Sequence, residues 1–169
     1  MGIDLFSSKF GHTFQIKILT ALITDKIFYH RINEILDCKY FDSEANQTIC
    51  NIIIEYYKKY EIAPTKDVFR TAIPEIKNQV LRESSTKHIR EVFDCVGVED
   101  IEYVKDETIS FCRNQELRKA LDESLVLLNV GEFDQIRDRI DKASRAGLET
   151  FTYYDYAAEI DNRYNEPDR

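Results

Sequence analysis

Residues 99–129 read EDIEYVKDETISFCRNQELRKALDESLVLLN, and their pattern decides the fold. At about 1.5 Å per residue a helix over this stretch runs roughly 46 Å, more than a small globular head can cover. Its apolar stripe also rotates. Ile101, Val104, Thr108, Phe111 and Cys112 mark one face, whereas Leu117, Leu121, Ser124, Leu125 and Leu128 mark another about 140° around the axis. Two faces predict two packing partners. Asn129-Val130-Gly131 supplies a tight reversal, after which Phe133, Ile136, Ile140 and Ala143 form the stripe of a second, antiparallel helix closed by Ala146-Gly147. The product is a projecting helical hairpin. A two-helix hairpin has a core on one side only, so its remaining apolar surface is expected to meet another hairpin. Leu117, Leu121, Leu125, Leu128, Phe133, Ile136 and Ile140 are therefore the expected oligomer interface.

Upstream, the pattern predicts a helical head over residues 12–97, preceded by a loose lead-in at 1–11 that carries Gly and Ser and no clear period. Apolar residues from Phe14 to Ile23 occupy more than one face, as in a central helix surrounded by others. Asp25 can cap a second helix bearing Phe28 and Ile32, with Ile35 and Leu36 continuing its stripe. Asp42 or Ser43 can cap a third, with Ala45, Ile49, Ile52, Ile53, Tyr56 and Tyr60 on one side. Pro64 separates that helix from a short one capped at Thr65. Pro74 is expected in the first turn of a further helix running to Val96, with a bend or fraying at the polar stretch Ser84–Lys87, and Gly97 ends it. The hairpin occupies 98–147, and 148–169 form a linker helix and tail. There Tyr153, Tyr156, Ala157, Ile160 and Tyr164 make one amphipathic stripe, either for a partner or for the chain's own bundle.

The 169 residues suffice for one domain with its own core, and only 5 Gly and 3 Pro leave little turn chemistry for sandwiches or barrels. The expected class is all-α. A net charge of −8 repels polyanions over most of the surface, so little direct DNA binding is expected. Cys38, Cys50, Cys95 and Cys112 form no C-x-x-C pair, and His12, His30 and His88 are scattered, so buried thiols in a reducing compartment are expected and a metal site is not. No apolar run is long enough for a membrane helix and no signal peptide is visible, which predicts a cytoplasmic protein. Phosphate loops, G-x-G-x-x-G, H-E-x-x-H and G-x-S-x-G are all missing, and no catalytic group or cofactor is expected in this chain.

FQIKILTALITDKIFYHRINEIL (14–36) followed by YFDSEANQTICNIIIEYYKKYEIAPTKDVF (40–69) resembles the N-terminal domain of DnaB-type replicative helicases. That family has an apolar first helix ending in Leu-Leu-x-Asp, then a Phe, a helix and a Pro-x-x-x-x-Leu-like segment. Leu22-Ile23-Thr24-Asp25, Phe41, the helix to Tyr60, and Pro64 to Phe69 stand in those places. YVKDETISFCRNQELRKALDESL (103–125) is similar to the first hairpin helix, FDQIRDRIDKAS (133–144) to the second, and YDYAAEIDNRY (154–164) to the linker of the primase-helicases of tailed bacteriophages.

The resemblance implies a homo-oligomeric collar, dimer or ring, that recruits primase and is a place where loaders act. It implies that Tyr153, Tyr156, Ala157, Ile160 and Tyr164 dock on the motor domain of a neighbouring subunit, in the cytoplasm of an infected bacterial host if phage-encoded. ATP and Mg²⁺ belong to that motor, whose phosphate loop this sequence lacks; a fragment and a naturally shortened product both fit. A stand-alone helical adaptor or regulator that assembles with replication proteins is the alternative, and an independent small enzyme a further one.

Overall fold

The computed structural model describes residues 4–148, which are all-helical. Seven α-helices follow one another: α1 (His12–Thr24), α2 (Lys26–Ile32), α3 (Glu44–Tyr60), α4 (Lys66–Ala72), α5 (Gln79–Asp94), α6 (Ile101–Asn129) and α7 (Phe133–Arg145). Short 3-10 turns at Phe6–Ser8, Cys38–Tyr40 and Ile73–Glu75 complete the described architecture.

Helix α1 is the hub. Its residues Ile16, Ile18, Leu19, Ala21 and Leu22 are buried on several faces, against α2, α3, α5 and α6. Buried hydrogen bonds fasten it: Thr20 Oγ1 donates to the Val92 carbonyl of α5 at 2.7 Å, and Tyr57 OH of α3 donates to the Leu22 carbonyl at 2.8 Å. Burial, with smaller contributions from Tyr29 and Asp25, pushes the Tyr57 hydroxyl up to about 12, so it stays a donor at neutral pH. Asp25 caps α2 by accepting from Phe28 N at 3.1 Å, and its carboxylate also pairs with Lys105 of α6 at 2.7 Å. Ser43, not Asp42, caps α3, accepting from Asn46 N at 3.0 Å.

Several expectations need correction. The lead-in is not loose where it is described: Phe6 is 0% and Phe10 5% exposed, inside an aromatic nest with Tyr40, Phe41 and Phe111. Buried Gln15 fastens this segment, donating to the Phe10 carbonyl at 3.1 Å and accepting from Asp42 N at 3.3 Å. In α3, Tyr57 rather than Tyr56 or Tyr60 faces the core, and Tyr60 is exposed. Pro74 lies in a 3-10 turn, and α5 begins afterwards, capped by Asn78 accepting from Leu81 N at 3.2 Å. The polar stretch Ser84–Lys87 does not fray; it is continuous helix in which Ser85 is fully buried. Ser85 belongs to α5, which packs on α3, and next to it His88 Nδ1 meets Asn46 Oδ1 of α3 at 2.9 Å. Ser85 and His88 thus lie at the crossing of two helices, while Lys87 faces solvent.

Helix α6 changes partner along its length, but of its second stripe only Ser124 is buried, Leu117 is half-buried, and Leu121, Leu125 and Leu128 are exposed. Val104, Thr108, Ile109, Phe111 and Cys112 are buried in its first half, which packs on α1 and α2. Ala120 and Ser124 are buried in its second half, which packs on α7. The described hairpin closes at Gly147, whose φ of +80° is the left-handed conformation glycine tolerates best.

Candidate assembly surface

Helices α6 and α7 meet through small side chains. Ala120 and Ser124 on α6 and Ala143 on α7 are buried, which lets the two backbones approach closely. At 100° per residue, Leu121, Leu125 and Leu128 lie on α6 about 90° to one side of the direction in which the buried Ala120 and Ser124 point. On α7, Phe133 lies about 50° to one side of the inward row Ile136, Ile140 and Ala143. Because α7 runs antiparallel, its sense of rotation is inverted, and both displacements fall on the same edge of the hairpin. That edge is apolar and open: Leu121, Leu125, Leu128 and Phe133 are 56%, 60%, 53% and 67% exposed. Leu117, Ile136 and Ile140 are half-buried and line the base of the same edge.

The opposite edge is closed by charge. Arg139 of α7 ion-pairs with Glu123 and lies 4.0 Å from Glu116, both on α6. Its hydrogen bond holds the Glu123 carboxyl below the usual range, and the same contact raises the Arg139 guanidinium further. The hairpin thus carries one hydrophilic edge satisfied within itself and one apolar edge satisfied by nothing among the described residues. Apolar surface of this kind makes the edge a candidate for contact with another molecule.

Magnitudes indicate what can cover it. Fully burying a Leu or Phe contributes about 1.5–3 kcal/mol, and each of these four is already half covered, so the edge offers roughly 4–6 kcal/mol per copy. Association costs about 4–15 kcal/mol in lost freedom. One edge against a polar surface falls short, whereas two such edges facing each other offer roughly twice the gain and reach the range needed.

Sequence reasoning overlooked Val126 and Val130, exposed near the tip, and Tyr103, exposed near the start of α6. The run Val126-Leu127-Leu128 was the available signal, since three successive residues cannot share one helix face. Tyr153, Tyr156, Ala157, Ile160 and Tyr164 lie outside the described residues. Among the four thiols, Cys38, Cys50 and Cys112 are buried and Cys95 partly so; burial raises Cys50, Cys112 and Cys95, which keeps them protonated at neutral pH. No helix among the described residues is long and apolar enough to cross a membrane.

No known family profile matches this sequence, and no curated protein or solved structure gives a significant match.

Proposed function

We propose that this chain is the non-catalytic N-terminal oligomerisation and partner-docking domain of a hexameric replicative DNA helicase. The observation that carries the reading is the open apolar edge of the α6–α7 hairpin, Leu121, Leu125, Leu128 and Phe133, on a pair of helices packed on each other. A supporting feature is the order of elements, an apolar hub helix, a capped bundle and then a hairpin, which matches the order the resemblance implies. In this reading the edges of neighbouring copies pair to build the collar, and the linker residues Tyr156 and Ile160 engage the motor domain of the next subunit. ATP, Mg²⁺ and most DNA contact belong to that motor. Primase is recruited by the collar and loaders act there, in the cytoplasm, that of an infected bacterial host if the chain is phage-encoded.

The test is a helicase that carries this collar on a RecA-type motor. Leu121→Asp with Leu125→Asp is expected to shift rings toward smaller species, because an unpaired charge in a buried contact costs about 3–5 kcal/mol. Ile160→Asp is expected to lower ring stability and ATP turnover together. Intact rings with undiminished turnover in both variants would sink the proposal.

A further inference from the structure

Away from the hairpin, α4, the Ile73–Glu75 turn and α5 enclose a groove of about 540 Å³, within the size range of binding clefts. Its rim carries Lys66, Arg70, Arg82 and Arg90 with the acid Asp94, and Asp67 pairs with Arg70 beside it, a local balance of 4 − 2 = +2. The whole chain carries −8, so this concentration of cations runs against its composition. Three of the four are only lightly engaged. Lys66 Nζ sits 5.3 Å over the Phe93 ring, Arg70 reaches Asp67 at 3.2 Å where both side chains are well exposed, and Arg90 is exposed with no ion pair among the described residues. Arg82 Nη1 donates to the Ile76 carbonyl at 3.1 Å and holds the groove's end in place. The floor is formed by the partly open ring of Phe93 with the edges of Phe69, Ile73 and Ile89, which are otherwise buried in the core.

We infer that this groove docks an acidic amphipathic helix of a partner protein, with Leu or Phe anchors on the floor and carboxylates against the rim. A cationic rim over an apolar floor is complementary to that chemistry. Nucleic acid fits less well. Lys66 already lies over Phe93, and Phe69 meets the same ring in an edge contact at 5.9 Å and 74°, so it offers no open platform for base stacking. The acidic remainder of the surface also repels a long polyanion more than a short peptide. Rim ion pairs in solvent are weak individually, so the apolar anchors supply affinity and the charges set specificity. The inference does not depend on hairpin pairing.

The probe is a fluorescein-labelled helical peptide built of Glu, with Leu and Phe at i, i+3, i+4 and i+7, compared with the same composition in scrambled order. Anisotropy with the full chain is expected to show saturable binding that weakens with salt, and at least about tenfold poorer binding of the scrambled peptide. Lys66→Glu with Arg90→Glu, both on exposed positions, is expected to weaken binding by about tenfold at unchanged melting temperature, whereas Leu121→Asp leaves it unchanged. Wild-type salt dependence reads the same charges without any substitution. Equal binding of the scrambled peptide, undiminished binding by the charge-reversed variant, or displacement by oligo-dT or tripolyphosphate at matched charge would overturn the assignment. A peptide of residues 149–169 that displaces the probe more strongly than the unlabelled probe itself would also overturn it, giving the groove to the chain's own C-terminal segment.

Discussion

Phe6 meets four rings, Phe10, Tyr40, Phe41 and Phe111, with centroids 4.9 to 5.9 Å away, and so joins the lead-in to the 38–41 turn and to α6. Phe6→Ala is expected to cost about 3–5 kcal/mol, read from the denaturant midpoint, because the surrounding rings belong to separate elements and cannot collapse together. A loss under about 1 kcal/mol would return this segment to the periphery. Nothing in the local sequence announces this role. Phe6 and Phe10 show no sustained period, and their partners lie as far away as Phe111, so pattern reading had no purchase. Titration gives a second residue-scale test. Burial lowers His88 from its ordinary 6.5, with His12 and Lys87 adding to the effect and Glu91 opposing it; burial and Lys26 lower His30 likewise. The unfolded chain then binds these protons more readily, so stability is full above about pH 6.5 and falls as the pH drops below it. Asp25 works in a separate, more acidic window: burial raises it, but the Lys105 and Phe28 hydrogen bonds outweigh that and hold it below 3.8. His88→Gln is expected to shrink, without abolishing, the decline in melting temperature between roughly pH 6.5 and 5, since His30 supplies the remainder. An unchanged slope would contradict the account.

At the scale of elements, α6 and α7 depend on small residues at their crossing. Ala120 is fully buried there, and Ala120→Leu is expected to destabilise by about 1–3 kcal/mol through overpacking, whereas Leu125→Ala on the open edge changes the stability of the isolated chain by less than about 0.5 kcal/mol. Chemical denaturation at low protein concentration separates the two, and equal losses would mean that the open edge is internal. The hairpin was legible because a rotating stripe, a Gly-bearing reversal and an amphipathic second helix all agree. The core face of α3 was not, since Tyr56, Tyr57 and Tyr60 offer three similar rings, and it is the stack of Tyr57 on Tyr29 at 3.7 Å and its 2.8 Å bond to the Leu22 carbonyl that select it. The start of α5 was misread because Pro74 fits the first turn of a helix as well as the 3-10 turn it occupies, and Asn78 then restarts the chain. What sequence could not give for the candidate surface was its edge. Periodicity marked Leu117 to Leu128 as apolar, but only the direction in which α7 lies tells which of them stay open.

For the whole molecule, charge and shape make separable claims. A net charge of −8 gives no gain from counterion release over most of the surface, so binding to single-stranded DNA is expected to be weak and to vanish near physiological salt in an anisotropy titration. Tight, salt-resistant binding would be incompatible with a collar that leaves DNA to the motor. The central claim is that copies of this chain pair through the hairpin edge, and sedimentation velocity of the purified chain across a concentration series tests it most directly, with Leu121→Asp, Leu125→Asp run beside it and helix content followed by circular dichroism. The account predicts a concentration-dependent oligomer for the native chain, a monomer for the variant, and the same helix content in both. A native chain that stays monomeric at the highest concentrations, or a variant that assembles as well as the native chain, would contradict it.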